Sequence, residues 1–116
     1  MDDLHKKLQI KNDQKVAAVN QSQDVDLPFD VVSIESAEVV IVFAQNEKSL
    51  KNNMDLIIRT AQNNLLLWVA YPKANQLATD INRDTVREFM QKHHLATVRL
   101  VSINNIWSAL RLKSDI

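Results

Sequence analysis

Seven apolar residues in a row, LLLWVAY at 65–71, are followed by Pro72 and Lys73 and then by a polar stretch leading into an amphipathic segment. The run carries no charge, is too short for a membrane span and is rich enough in large side chains to be a strand buried on both faces. Such strands belong to parallel sheets sandwiched between helices, because a sheet wetted on one side alternates apolar with polar positions. Pro72 lacks a backbone N–H, so it ends the ladder and sends the chain into a loop at the carboxyl end of this central strand. A second continuous run, AEVVIVFA at 37–44, predicts another buried strand. Between the two, Leu50, Met54, Ile57, Ile58 and Ala61 recur at helical spacing and predict one helix over 47–62. Strand, helix and strand then form a right-handed βαβ unit.

The flanks carry weaker patterns. Leu4, Leu8 and Ile10 in a charged surround predict a short helix over 3–9 that lays a narrow apolar edge on the sheet. KVAAVN at 15–20 reads as a short strand, the following QSQDVDLPFD as a loop with a turn at Pro28, and residues 31–34 as a second short strand. Val86, Phe89, Met90 and His93 line one face of a later helix, with Asn82 or Asp84 as its cap and Thr85 with Glu88 matching a capping box. TVRLVSI at 97–103 alternates, which sets Val98, Leu100 and Ser102 opposite to Thr97, Arg99 and Val101. Asn104 and Asn105 make a tight turn into a last alternating strand, WSALRLK at 107–113, closing an antiparallel hairpin. The expected whole is a single α/β domain over 1–116 in three layers, with a mostly parallel sheet of five to six strands that ends in this hairpin.

Composition narrows the chemistry. A chain of 116 residues buries about two thirds of its extended surface and needs no staple. Cysteine is absent, and His5, His93 and His94 lack the spacing of ligands on one helix, so no metal site is expected. Fourteen basic and fourteen acidic residues are interspersed, which gives neither the basic stripe of a nucleic-acid binder nor a membrane-surface helix. The start, MDDLHKKLQIK, lacks the apolar segment of a signal peptide, and a cytoplasmic location is expected. Glycine is absent altogether. Positions needing a positive φ must then fall to residues such as Asn, and Asn46, Asn63, Asn64, Asn104 and Asn105 sit at predicted element ends. The glycine-rich loops that bring backbone close to nucleotide phosphates are missing too, so no cofactor is expected.

Across nearly the whole chain, the order of elements resembles a family of small bacterial α/β domains of unknown function. The hallmarks of that family are a strand ending in Pro-Lys, a polar loop, and a C-terminal Trp-Ser-Ala followed closely by Arg. Pro72, Lys73, Trp107, Ser108, Ala109 and Arg111 are the matching positions. The layout is also similar to a shortened, Rossmann-like methyltransferase with its terminal hairpin, an analogy that implies strand order 2-1-3-4-6-5. It departs from that pattern at residues 20–24, where NQSQD stands in place of the glycine-rich loop. The resemblance implies a fold and no activity.

Candidate functional residues crowd the carboxyl edge of the sheet, where ligands of open α/β sheets usually sit. Tyr71, Lys73, Thr79, Asp80, Asn82 and Arg83 occupy one loop and one helix start, where Lys73, Arg83 and the helix N-terminus could hold a small anion. The bland alternative has Asp80, Asn82 and Asp84 capping the helix while the cations pair with them. Trp107, Ser108 and Arg111 join the candidates from the last strand, Trp107 either as core or as a platform on which Arg111 stacks. No residue is assigned as catalytic. The leading expectation is a non-catalytic binding or interaction module with an anion-accepting loop; the alternative is a small enzyme of transferase descent acting on an anionic metabolite. A homodimer through the 97–103 edge strand is also expected, with neither nucleic acid nor membrane as partner.

Overall fold

The computed structural model describes residues 4–11, 13–23, 25–27, 30–73 and 79–114. In chain order the elements are α1 (Leu4–Lys7), β1 (Val16–Val19), β2 (Val39–Phe43), α2 (Glu47–Asn52), α3 (Met54–Gln62), β3 (Leu66–Pro72), α4 (Arg83–Lys92), β4 (Leu95–Ser102) and β5 (Trp107–Ser114). The strands form one sheet in the order β1-β2-β3-β5-β4. β3 lies in its middle, hydrogen-bonded to β2 in parallel and to β5 antiparallel. Every residue of β2 is buried, as is all of β3 after Leu66, which is why neither run alternates.

Side chains divide between the faces by parity. Val40, Val42, Leu67, Val69, Leu110 and Leu112 pack with Leu50 of α2, Ile57 of α3 and Val86 and Met90 of α4. On the other face, Val39, Ile41, Phe43, Trp68 and Trp107 pack with Leu4, Leu8, Ile10 and Val25, which come from α1 and irregular chain. Trp68 sits in mid-strand, fully buried, and its indole Nε1 donates to the Leu8 carbonyl at 3.0 Å, tying the N-terminal segment to the sheet. No helix among the described residues is long and apolar enough to cross a membrane.

Several expectations are corrected. The sheet is mixed, not a mostly parallel Rossmann-like one: only β1-β2 and β2-β3 pair in parallel, whereas β3-β5 and β4-β5 are antiparallel. The hairpin turn brings β5 back between β3 and β4, as the expected order 2-1-3-4-6-5 has it, and this placement makes both pairings of β5 antiparallel. The strand expected at 31–34 is a single bridge from Val31 to Val16, after which the chain turns through a 3-10 helix at Ile34–Ser36. The second covering layer is correspondingly thin. The helix expected over 47–62 is two helices, broken at Asn53, whose side-chain amide donates to the Ser49 carbonyl at 2.8 Å. Asn82 caps α4 and closes its box with Thr85, not Thr85 with Glu88. An irregularity between Thr97 and Arg99 puts Thr97 in register with Leu112 and Leu100 with Leu110, so Thr97 and Leu100 share a face that strict alternation would have split. Positive φ falls on Gln9, Asn20, Asn64 and His94, so only Asn64 of the five expected asparagines takes that role. Asp3, the Pro28 turn, Asp24 and the polar loop at 74–78 lie outside the described residues.

Candidate functional site

The sequence-derived candidates do not converge on one site. Tyr71 is buried near the end of β3, opposite Ser108 of β5. Burial pushes the Tyr71 hydroxyl above its ordinary value of 10.0, with Arg83 lowering it, Asp84 raising it and Ser108 lowering it. Tyr71 therefore stays protonated at neutral pH, which does not suit a general base. Lys73 donates from Nζ to Ser102 Oγ at 2.7 Å and from its backbone to the Ile106 carbonyl at 2.7 Å, fastening the end of β3 to the hairpin turn. Ser102 in turn donates to the Asn104 carbonyl at 3.1 Å.

Thr79 and Asp80 act as local fasteners. The Thr79 hydroxyl donates to the Gln45 carbonyl at 2.6 Å, and Asp80 accepts from the Glu47 backbone N–H at 2.8 Å, satisfying a donor of the first turn of α2 from outside the helix. Asn82 accepts from the backbone N–H groups of Asp84 and Thr85 at 2.9 and 3.0 Å. Arg83 is exposed and lies 3.5 Å from Asp84, a pair screened by solvent and worth little. Trp107 and Arg111 belong to the opposite face, where Arg111 donates to the side chain of Gln9 and Trp107 meets Phe43 edge-on with centroids 5.4 Å apart. Trp107 is thus core rather than a stacking platform for Arg111.

A cleft of about 360 Å³ opens instead at the carboxyl ends of β1 and β2. Asn20, at φ 57°, turns the chain out of β1, and the residues it leads into, Gln21, Ser22 and Gln23, form one wall. Gln21 is steadied by a hydrogen bond from Nε2 to the Val25 carbonyl at 3.0 Å. Gln45, just past β2, and Ser49, in the first turn of α2, line the cleft with Phe43 and Trp107. Among the described residues the lining holds no titratable side chain. Amides supply donors and acceptors at once, so the cleft is equipped to bind hydroxyl or amide groups but offers no base to activate a nucleophile. Sequence reasoning treated residues 20–24 as a missing glycine loop and so overlooked this wall. The available signal was a polar run of amides placed directly after a strand, at the sheet edge where ligands sit.

A second concavity, about 210 Å³, lies between α4 and the edge strand β4, flanked by Arg83, Arg87 and Arg99 with Thr97, Leu100 and Leu110. The other flank of α4 is of mixed charge, its Glu88 and Lys92 sharing a hollow with Glu47 and Asp80 of neighbouring segments.

No family model matches the chain, and no curated protein matches it either. Neither comparison bears on the expected resemblance to small bacterial domains, and the residues quoted for it lie along one seam. Pro72 pairs in register with Trp107, Tyr71 with Ser108, Ala70 with Ala109 and Trp68 with Arg111, while Lys73 is hydrogen-bonded to the turn that precedes β5. The motif therefore maps onto the antiparallel β3–β5 joint.

Proposed function

We propose that this chain is a non-catalytic binding module whose ligand is a small uncharged molecule carrying several hydroxyl or amide groups. The observation that carries the reading is the cleft at the carboxyl edge, concave and lined by Asn20, Gln21, Ser22, Gln23, Gln45 and Ser49 without a titratable group among the described residues. A charged ligand placed there would lose water without gaining a counter-charge, whereas a neutral one exchanges hydrogen bonds nearly evenly and gains from contact with the Phe43 and Trp107 rings. The anion-accepting role expected of Lys73 is weakened by its hydrogen bond to Ser102, since an anion would have to compete for the same ammonium.

Thermal denaturation in the presence of monosaccharides, polyols, nucleosides, sugar phosphates and small carboxylates tests this. A ligand at a hundred times its dissociation constant stabilises the native state by about 2.7 kcal/mol, a shift easily read. The expected result is stabilisation by a neutral member of the panel that is lost in Gln23→Ala and Gln45→Ala. Stabilisation by anions alone, abolished by Lys73→Met, would replace this reading with the anion-binding one.

A further inference from the structure

We propose that the free edge of β4 takes up an acidic, extended segment of a partner protein as an added strand, its carboxylates meeting Arg83 and Arg87 of α4. Among the described residues β4 ends the sheet with no strand beyond it, touched at its end by Lys7, whose Nζ donates to the Ser102 carbonyl at 3.3 Å, whereas the opposite edge, at β1, is partly covered by the bridge from Val31 and by the Val32 N–H bonded to the Val16 carbonyl at 2.8 Å. An uncovered edge presents a row of unpaired backbone donors and acceptors, and stable proteins normally shorten, charge or cover it. β4 is eight residues long, and its exposed side chains include the apolar Val98 and Leu100, 50% and 45% exposed.

The charges beside this edge are arranged at a cost to the free protein. Arg83 and Arg87 lie one turn apart on α4, where like charges repel. Arg99 stands opposite Arg111 in the β4–β5 register, where like charges again repel. Among the described residues the only carboxylate at ion-pair distance from any of these arginines is Asp84, an exposed partner of Arg83 alone. Arg83 and Arg87, on the face where Leu100 and Leu110 make an apolar floor, are complementary to a strand that alternates acidic with apolar residues, whereas Arg99 shares the opposite face with Arg111. A second copy of this chain is the poorer occupant: antiparallel self-pairing of Leu95–Ser102 about its centre would set Arg99 beside its own copy and bring both arginine groups together.

The test uses blocked eight-residue peptides alternating Glu, Gln or Lys with Val, titrated into the isotope-labelled full chain and followed by backbone amide shifts. The expected result is saturable binding of the Glu peptide alone, with shifts concentrated at residues 97–101 and absent from the cleft at 20–23. Arg83→Gln and Arg87→Gln should each weaken it about tenfold, the value of one charge-assisted hydrogen bond. Methylating alternate backbone nitrogens of the Glu peptide, which leaves the protein untouched, should abolish binding. Equal binding of the Gln peptide or of the methylated peptide, or none by the Glu peptide, overturns the proposal. So does a free chain that is already dimeric with its β4 amides protected, or an oligonucleotide that binds the same residues more tightly than the Glu peptide.

Discussion

On one side of the sheet, α2, α3 and α4 lay three apolar stripes against Val40, Val42, Leu67, Val69 and Leu112. On the other, a four-residue helix and irregular chain cover Val39, Ile41, Phe43, Trp68 and Trp107. Helices fill space with many medium side chains at regular spacing; a cover made of loose chain cannot, and here rings take their place. Both tryptophans and Phe43 lie on the thinly covered side, and the Trp68 indole adds a hydrogen bond that holds the cover down. The same economy leaves the carboxyl edge on that side unroofed, and the amide-lined cleft opens there, over Phe43 and Trp107. The difference between the faces is thus one of packing: the helix side keeps only the smaller hollows that flank α4, and the thinly covered side opens into the amide-lined cleft.

The severest way to break the comparison is Trp68→Ala. Removing a fully buried ring from the central strand leaves a cavity between rigid layers and orphans the Leu8 carbonyl, so a loss of about 3 to 5 kcal/mol is expected in urea denaturation. A melting curve within a degree or two of the parent would show that the thin face does not depend on its rings.

A matched pair separates the two covers more finely. Leu8→Ala and Ile57→Ala each delete a fully buried aliphatic chain, at about 2 to 5 kcal/mol, one from each cover. Hydrogen exchange should distinguish them. In Leu8→Ala the Leu8 and Ile10 amides, bonded to the Leu4 and His5 carbonyls, should open well below the global unfolding free energy, whereas Ile57→Ala should lower protection throughout the sheet. Identical exchange patterns in the two variants would mean that both covers unfold as one unit.

Tyr71, on the helix side, supplies a smaller effect with a definite sign. The fold raises its pKa, so its contribution is complete below about pH 10, the unfolded value, and is lost as pH rises through the higher folded value. Tyr71→Phe should remove that alkaline limb while changing stability at neutral pH by no more than about 1 kcal/mol. An unchanged stability profile above pH 10 would contradict the burial of this hydroxyl.

At the low end, S-adenosylmethionine and NAD should leave the melting temperature unmoved. The wall of the cleft after β1 has side chains at every position, where phosphate-binding loops use glycine to let backbone approach. Calorimetric binding of either at micromolar affinity would show that the cleft accepts a dinucleotide by another route.

How much of this was legible in the sequence depended on whether local pattern or distant partners decided the matter. The runs at 37–44 and 65–71 announced buried strands because burial on both faces leaves its mark in every residue of a strand. The apolar stripe of 47–62 marked the covering face of α2 and α3, although the break at Asn53 needed a side-chain hydrogen bond that periodicity does not encode. Asn82 was visible as one of two caps, since a cap is a contact between residues three apart. The place of β5 between β3 and β4 is the one the methyltransferase analogy implied, but the sheet was misjudged as mostly parallel, because that same order makes both pairings of β5 antiparallel and the 31–34 strand that would have added a parallel pair is only a bridge. The candidates around Lys73 were gathered by nearness in sequence, and the fold then spent them on fastening its own segments. The cleft joins residues 20–23, 45, 49 and 107, and no local pattern connects them. Sequence alone determined what each segment buries, because transfer of apolar side chains from water is written position by position; tertiary structure decided which buried segments meet, because that choice minimises the exposed area of the whole chain at once.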